Sequence, residues 1–248
     1  MQPTDCEAIL AHLAAHNSIR KFADAPVADE HVARALTCAQ RASTSSNVQA
    51  YALLRVRDAA KRARLVELTG GQPYVGSAGA FFVLCGDQRR HRLVSRRAGK
   101  EFAPNLESFL VATIDTALFA QNLVLAFEAQ GYGCVMIGGL RNELPEVDAL
   151  LELPADVFPF FGLCVGVPAQ EPVQRPRLEP EAILVEEQFP ALEEVDAAIE
   201  RYDEAMGAWY ETIQRPKRDW SSGLAQKFEA KRREHLHDYY ESKGACLE

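Results

Sequence analysis

A chain of 248 residues, 48% of them hydrophobic, can bury a large core as one sizeable domain or two small ones. Its net charge of −8 excludes broad nucleic-acid binding, which needs a basic face, so any anionic ligand must be held by a few local cations. The six cysteines, at positions 6, 38, 85, 134, 164 and 246, form no C-x-x-C pair. That points to a reduced, cytoplasmic chain, and the N-terminus lacks the basic-then-apolar pattern of a secretory signal.

Thr4 and Glu7 make a capping box for a first helix, whose apolar face is Cys6, Ile9, Leu10 and Leu13. His12 and His16 lie four apart on it without a third ligand, so no metal site is expected. The stretch H-N-S-I-R-K-F follows at 16–22. His16, Asn17, Ser18 and Arg20 put hydrogen-bonding side chains and a permanent cation within five residues, enough to hold one phosphate at several points. Taken alone, the segment reads first as a solvated connection with Arg20 on a surface carboxylate. Asp29 predicts the cap of a second helix over 30–42. The run S-T-S-S-N-V-Q at 43–49 favours a turn and sets out neutral donors and acceptors, Thr44, Ser45 and Ser46 among them.

A strand is predicted over 51–56 and a helix over 59–68. In T-G-G-Q-P-Y at 69–74, two glycines let the backbone approach something closely. Gln72 there offers a donor and an acceptor to the edge of a heteroaromatic ring. Residues 80–85 read as a buried strand and 89–100 as a basic, solvated segment. The longest helix, over about 105–130, is apolar on most sides. It contains Asp115, Gln121 and Asn122, which mark a core helix and not a membrane span.

Gly131 stops that helix, and a strand over 134–137 runs into Gly138-Gly139, Arg141-Asn142 and a new helix. The G-x-G at 131–133 follows a helix and precedes a strand, the wrong order for a dinucleotide-binding loop. Bare backbone at Gly138 and Gly139 can instead approach a flat ring. A further strand is read over 158–167. Arg175 and Arg177, two apart in the extended R-P-R-L, face the same way. An edge strand over 183–185, a charged helix over 192–211, the basic loop of Arg215, Lys217 and Arg218, and an amphipathic helix over 224–240 complete the chain.

No H-E-x-x-H, G-x-S-x-G or Walker sequence is present, and no carboxylate pair is set for acid–base work. Redox chemistry on a flavin needs neither, because the cofactor carries the reaction. It needs a phosphate clamp, a ring-edge partner and a cation near the pyrimidine end of the ring. The 16–20 segment, Gln72 and Arg175 with Arg177 suit these tasks.

H-N-S-I-R-K-F, A-S-T-S-S-N-V-Q-A-Y, T-G-G-Q-P-Y-V, G-G-L-R-N, F-G-L-C-V-G-V-P and R-P-R-L occur in that order over residues 16–178. In this the chain resembles the nitroreductase-type flavoprotein superfamily, most closely its branch of NADPH-dependent oxygen-insensitive nitroreductases and NADPH-flavin oxidoreductases. The resemblance implies an α+β fold with a mainly antiparallel central sheet surrounded by helices. It divides the chain into a core over 1–190 and a helical extension over 191–248 that embraces the partner subunit of a homodimer. It implies FMN at the dimer interface. His16, Asn17, Ser18 and Arg20 would hold the phosphate and ribityl chain, joined by Arg177. Thr44, Ser45, Ser46 and Gln72 would come from the other subunit. Ile137, Gly138 and Gly139 would line the ring near N5, and Arg175 would face N1 and O2. Arg215, Lys217 and Arg218 are the candidates for the 2′-phosphate of NADPH. Asn17 stands where the family usually has Arg, which removes a charge from the clamp, and Arg175 replaces the more usual Lys.

The function implied is ping-pong hydride transfer from NADPH through FMN to nitroaromatics, quinones or free flavin. One rival is a dedicated NADPH-FMN reductase supplying reduced flavin to a partner enzyme, separated by comparing turnover with free FMN and with nitroarenes. The other is a non-catalytic flavin-binding protein, whose FMN NADPH would fail to bleach.

Overall fold

The structure, a computed structural model, describes residues 3–247, with side chains from Asp5 onward; the cap expected at Thr4 lies outside them. Residues up to Pro172 together with Arg233 onward form one compact unit, and Val173–Arg232 form a second. The strands are β1 (Tyr51–Arg55), β2 (Ala80–Asp87), β3 (Gly133–Ile137) and β4 (Val157–Gly166). The helices of the first unit are α1 (Pro3–Ala14), α2 (Asp29–Ala39), α3 (Ala59–Leu68), α4 (Pro73–Ser77), α5 (Arg89–Arg97), α6 (Leu106–Glu128) and α7 (Leu144–Leu151). The second unit has α8 (Leu192–Thr212) and α9 (Trp220–Phe228), and α10 (Leu236–Ser242) returns to the first.

The four strands make one antiparallel sheet in the order β1-β2-β4-β3, the α+β arrangement the sequence leads one to expect. β2 is buried at all positions because helices cover both faces. Phe82 and Leu84 meet Phe119, Leu123 and Phe127 of α6. Phe81, Val83 and Cys85 meet Leu65 and Leu68 of α3, Val75 of α4 and Val147 of α7. Each such side chain contributes about 1.5–3 kcal/mol over its exposed state.

α6 begins under a capping box: Ser108 N–H donates to Asn105 Oδ1 at 2.9 Å and Asn105 N–H to Ser108 Oγ at 3.1 Å. It is long and apolar enough to cross a membrane by composition, yet Phe119, Ala120, Leu123, Val124 and Phe127 on its inner side lie in the core. Its outer side leaves Leu106, Leu110, Ile114 and Leu118 exposed at four-residue spacing.

The structure departs from the sequence expectations where distant partners decide. α2 starts at Asp29 without a side-chain cap. The Asp29 carboxylate is drawn off to Arg55 and Arg57 at 2.5 and 2.8 Å, and hydrogen bonds from Arg57 and Arg55 hold it below the usual carboxylate range. The basic stretch at 89–100 is solvated as expected, with no buried residue in its helix, but it is not without partners. It forms α5, pinned by Arg89 on Asp87 at 2.7 Å and by Arg92, whose Nε and Nη2 fork onto Asp156 at 2.7 Å each. No strand forms at 183–185; a short 3₁₀ turn, Pro180–Ala182, precedes the exposed Ile183 and Leu184. The helix expected over 224–240 is broken into α9 and α10, with Arg233 in a left-handed conformation between them (φ 57°). α10 docks on the core through Tyr240 Oη to Pro159 O (2.8 Å) and Tyr239 Oη to Asp148 Oδ2 (2.7 Å), beside Phe158 and Phe160.

Gly133 opens β3 where Ile19 packs: a Cβ there would lie 2.6 Å from Ile19 Cγ1 and 2.7 Å from its Cβ. A β-branched side chain cannot yield by swinging away. Gly133→Ala is expected to cost about 1–3 kcal/mol in urea unfolding through this overpacking; an unchanged midpoint would show that the 16–22 segment is not seated there.

Candidate functional site

Residues 16–22 run along the free edge of β3. Ser18 bridges Cys134 in parallel, and Ile19 N–H donates to Cys134 O at 2.9 Å. Buried Ile19 is the anchor. The chain then runs along the segment after β4: Ala23 N–H donates to Val167 O and Ala169 N–H to Lys21 O, both at 2.9 Å. Gln170 Oε1 accepts from the N–H groups of Arg20 and Lys21 at 3.0 and 2.9 Å. Behind them His16 Nδ1 meets Glu128 Oε1, at the end of α6, at 2.7 Å. The backbone is thus fixed on both sides while the Arg20 and Ser18 side chains stay exposed, without a hydrogen bond or ion pair among the described residues. Asn17 Nδ2 is spent on Ala15 O at 3.1 Å. His12 donates to or accepts nothing from His16: its Nε2 is bonded to Leu125 O at 3.0 Å.

At the other end of β3, Ile137 leads into a 3₁₀ turn, Gly138–Asn142. A Cβ on Gly139 would lie 2.4 Å from both Gln72 Nε2 and Thr69 O, so only glycine fits. Gln72 Nε2 donates to Thr69 O at 2.7 Å and Tyr74 Oη donates to Gln72 Oε1 at 2.6 Å, which orients the amide. The turn that carries it needs Gly70 and Gly71, both left-handed (φ 87° and 73°). Gln72 therefore packs on Gly139 of its own chain. Two guanidinium groups flank this turn. Arg141 donates from Nη1 to Phe160 O at 2.5 Å, and its Nη2 lies 3.5 Å from where a Gly138 Cβ would be. Arg233 donates from Nε and Nη2 to Asn142 Oδ1 at 3.1 and 2.9 Å. Sequence reasoning gave neither a role. Arg141 was visible inside G-G-L-R-N; Arg233, 91 residues from its partner, gave no local signal.

The polar run at 43–49 contains a 3₁₀ turn, Ser45–Asn47, and is tied to Asp115 of α6. The Thr44 hydroxyl donates to Asp115 Oδ2 at 2.5 Å and accepts from Gln49 N–H at 2.8 Å, so it is engaged within the fold. Ser45 and Ser46 are exposed.

In the second unit, Arg175 and Arg177 do not act as a matched pair. Arg175 lies over the Trp209 ring at 4.9 Å, and Arg177 Nη1 turns back to Arg175 O and Pro176 O at 3.4 Å. The Lys217 stem lies along α8: a Cβ on Gly207 would meet its Cε at 2.6 Å. Arg215 and Arg218 are exposed.

Residues 13–167 match the Nitroreductase family and residues 175–248 match the Nitroreductase family, C-terminal domain. The chain belongs to the Nitroreductase family. It is similar to the FMN reductase (NADPH) of Bacillus subtilis, 39% identical over 92% of this chain and 94% of the other. The oxygen-insensitive NADPH nitroreductase of Salmonella typhimurium is 38% identical over 94% of this chain and 95% of its own. The structure of B. megaterium NfrA1 superposes with a TM-score of 0.92 at 38% identity, covering 96% of this chain and 98% of that one.

This nitroreductase-family chain holds three of its six thiols inside the sheet. Cys85, Cys134 and Cys164 are buried in the sheet, and burial pushes the Cys85 and Cys164 thiols up to about 12 and Cys134 well above its ordinary value. Such groups stay protonated and unreactive at neutral pH. Among the described residues no three His, Cys, Asp or Glu side chains gather to hold a metal. Ellman titration of the native protein at pH 8 is expected to find at most three thiols, those of Cys6, Cys38 and Cys246, and six in denaturant. A fourth reactive native thiol would show that a sheet cysteine is accessible.

Proposed function

We propose that this chain is an FMN-dependent NADPH oxidoreductase that works as a homodimer in the cytoplasm. The observation that carries the reading is the pairing of two features along β3. At Cys134 the strand holds the exposed Arg20–Ser18 donor set, and past Ile137 it offers the open backbone of Gly138. Four residues of strand separate them, about 13 Å at the usual rise. A phosphorylated five-carbon chain with a flat ring at its end spans that interval. The residues present fit FMN. Arg20 and Ser18 have donors to spare for the phosphate, and Gly138 and Gly139 put no side chain between backbone and ring. Gln72 keeps one amide N–H and lone-pair capacity at the ring edge.

When bound, FMN supplies the hydride chemistry, taking two electrons from NADPH and delivering them to nitroaromatics, quinones or free flavin. The chain's own residues bind and orient. Arg20 neutralises the phosphate, His16 is aimed by Glu128, and Arg141 and Arg233 give positive charge beside the ring-lining turn. Arg215, Lys217 and Arg218 are assigned to the 2′-phosphate of NADPH, with Arg175 and Arg177 as further cations toward the flavin.

Two observations support the dimer. The outer face of α6 presents Leu106, Leu110, Ile114 and Leu118, and α1 presents Ile9, Leu10 and Leu13, all exposed. Exposed apolar faces of this kind suit a contact between copies. In addition, Asp115 and Glu128 are 13 residues apart on one helix, about 20 Å. The loop on Asp115 and the His16 segment on Glu128 thus leave α6 at separate levels, which suits a site completed by a second copy. A second copy supplies Ser45 and Ser46. The extension beyond the 1–190 core, over 191–248, reaches the partner with exposed apolar side chains such as Leu192 and Phe228. Six free thiols suit the reducing cytoplasm.

The purified protein is expected to be yellow and to oxidise NADPH with nitrofurazone and with free FMN; a colourless protein that takes up no FMN overturns the reading. Arg20→Ala is expected to weaken FMN binding at least tenfold while leaving stability within about 0.5 kcal/mol, as for other surface changes. Retained flavin would contradict the clamp. Arg215→Ala combined with Lys217→Ala should raise KM for NADPH severalfold and leave KM for NADH alone; equal effects would mean the loop does not read the 2′-phosphate.

A further inference from the structure

We infer that Gly207 of α8 is a specificity-determining position: its missing side chain is the seat that fixes Lys217, and through Lys217 it favours NADPH over NADH. The inference rests on the assignment of Arg215, Lys217 and Arg218 to the 2′-phosphate proposed above. Gly207 is buried inside a 21-residue helix, where glycine is less favourable than alanine. The three atoms nearest to a Cβ built on it all belong to Lys217: Cε at 2.6 Å, Nζ at 3.3 Å and Cδ at 3.6 Å. The space a methyl group would fill is taken by the end of one lysine. The helix gives up a better residue at the point where that lysine lies.

The loop that carries Lys217 is fastened at both ends. After α8, Gln214 is left-handed (φ 52°) and Arg215 N–H donates to Tyr210 O at 3.0 Å. At the start of α9, the N–H groups of Trp220 and Ser221 donate to Asp203 Oδ1 at 2.6 and 3.0 Å, and Ser222 N–H donates to Asp219 Oδ1 at 2.7 Å. The Trp220 ring meets Tyr202 of α8 edge-on at 5.4 Å. Two carboxylates therefore occupy the start of α9 and repel an anion from it. Reading a phosphate is left to the side chains of the loop.

Lys217 is seated yet unpaired. Asp203, Glu204 and Glu211 lie three or four residues from Gly207 on α8, within reach of a lysine stem laid along the helix. Its ammonium nevertheless makes no ion pair or hydrogen bond among the described residues, and Asp203 is committed to α9. Arg215 and Arg218 are exposed on the same loop and are likewise unpaired among the described residues. Three cations kept free in a chain of net charge −8 suit a phosphate monoester, the group that separates NADPH from NADH. A mobile lysine would lose rotamer freedom on meeting that phosphate; the seat on Gly207 removes this loss beforehand.

The test uses the full-length protein loaded with FMN. It compares KM and kcat for NADPH and NADH, calorimetric binding of adenosine 2′,5′-bisphosphate and of AMP, and thermal melting. Gly207→Ala displaces only the flexible end of Lys217, so its melting temperature should equal or exceed that of the wild type. KM for NADPH is expected to rise severalfold, with kcat and KM for NADH unchanged, and the bisphosphate should bind more weakly by a similar factor while AMP does not. Because Gly207 acts through Lys217, adding Gly207→Ala to Lys217→Ala should change nothing further. The inference is overturned by a wild-type KM for NADPH in Gly207→Ala, by equal rises for the two coenzymes, or by an added loss in the Lys217→Ala background. Should Gly207→Ala fail to fold, Lys217→Met decides, since it keeps a stem on the seat without the charge: a wild-type KM for NADPH would overturn the inference, and a selective rise would uphold it. A wild-type protein that binds the bisphosphate no more tightly than AMP would instead defeat the assignment of the loop, and one that takes up no FMN would defeat the functional reading itself.

Discussion

Asp115 lies on the longest helix with 1% of its surface exposed and accepts three hydrogen bonds from the Thr44–Ala50 loop. A carboxylate buried without such donors would cost several kcal/mol, so the helix is committed to the loop as firmly as the loop to the helix. Thirteen residues on, Glu128 meets His16 through a single oxygen, Oε1, at 2.7 Å. Between these acids the inner side of α6 carries Phe119, Leu123 and Phe127 into the sheet. Its outer side is left apolar and uncovered at Leu110, Ile114 and Leu118. One element thus meets the core, the two segments proposed to hold the ligand and the proposed second copy. A change in its rotation would be felt at all of them.

The second constraint is the absence of side chains along β3. Gly133 admits Ile19, and Gly139 admits the Gln72 amide; a Cβ at either would meet atoms at 2.6 or 2.4 Å. The polar edge and the ring-lining turn are therefore set by close packing of backbone, with few adjustable side chains. Binding energy in such a preformed site is not spent on ordering it.

Much of this was legible in the sequence because it is local. The helix at Ala59–Leu68, the apolar strands β2 and β4, the glycine turn at 70–71 and the order of the six motifs all rest on neighbouring residues. What escaped depends on partners far along the chain. The ion pair that anchors α5, Arg92 on Asp156, joins residues 64 apart and leaves no local trace. Asp29 looks like a cap until Arg55 and Arg57 claim it. The packing of Gln72 on Gly139 of its own chain could not be read from the spacing of either motif. Arg233 was absorbed into an amphipathic helix that breaks beside it, and the hydrogen bond from the Thr44 hydroxyl to Asp115, 71 residues on, left no local signal.

The central proposal is that each FMN is held where two copies of the chain meet, beside the exposed apolar face of α6. Native mass spectrometry of the protein purified with its flavin measures this directly. The account predicts a dimer carrying two FMN, with flavin lost whenever the dimer dissociates. A monomer that keeps FMN bound would contradict it.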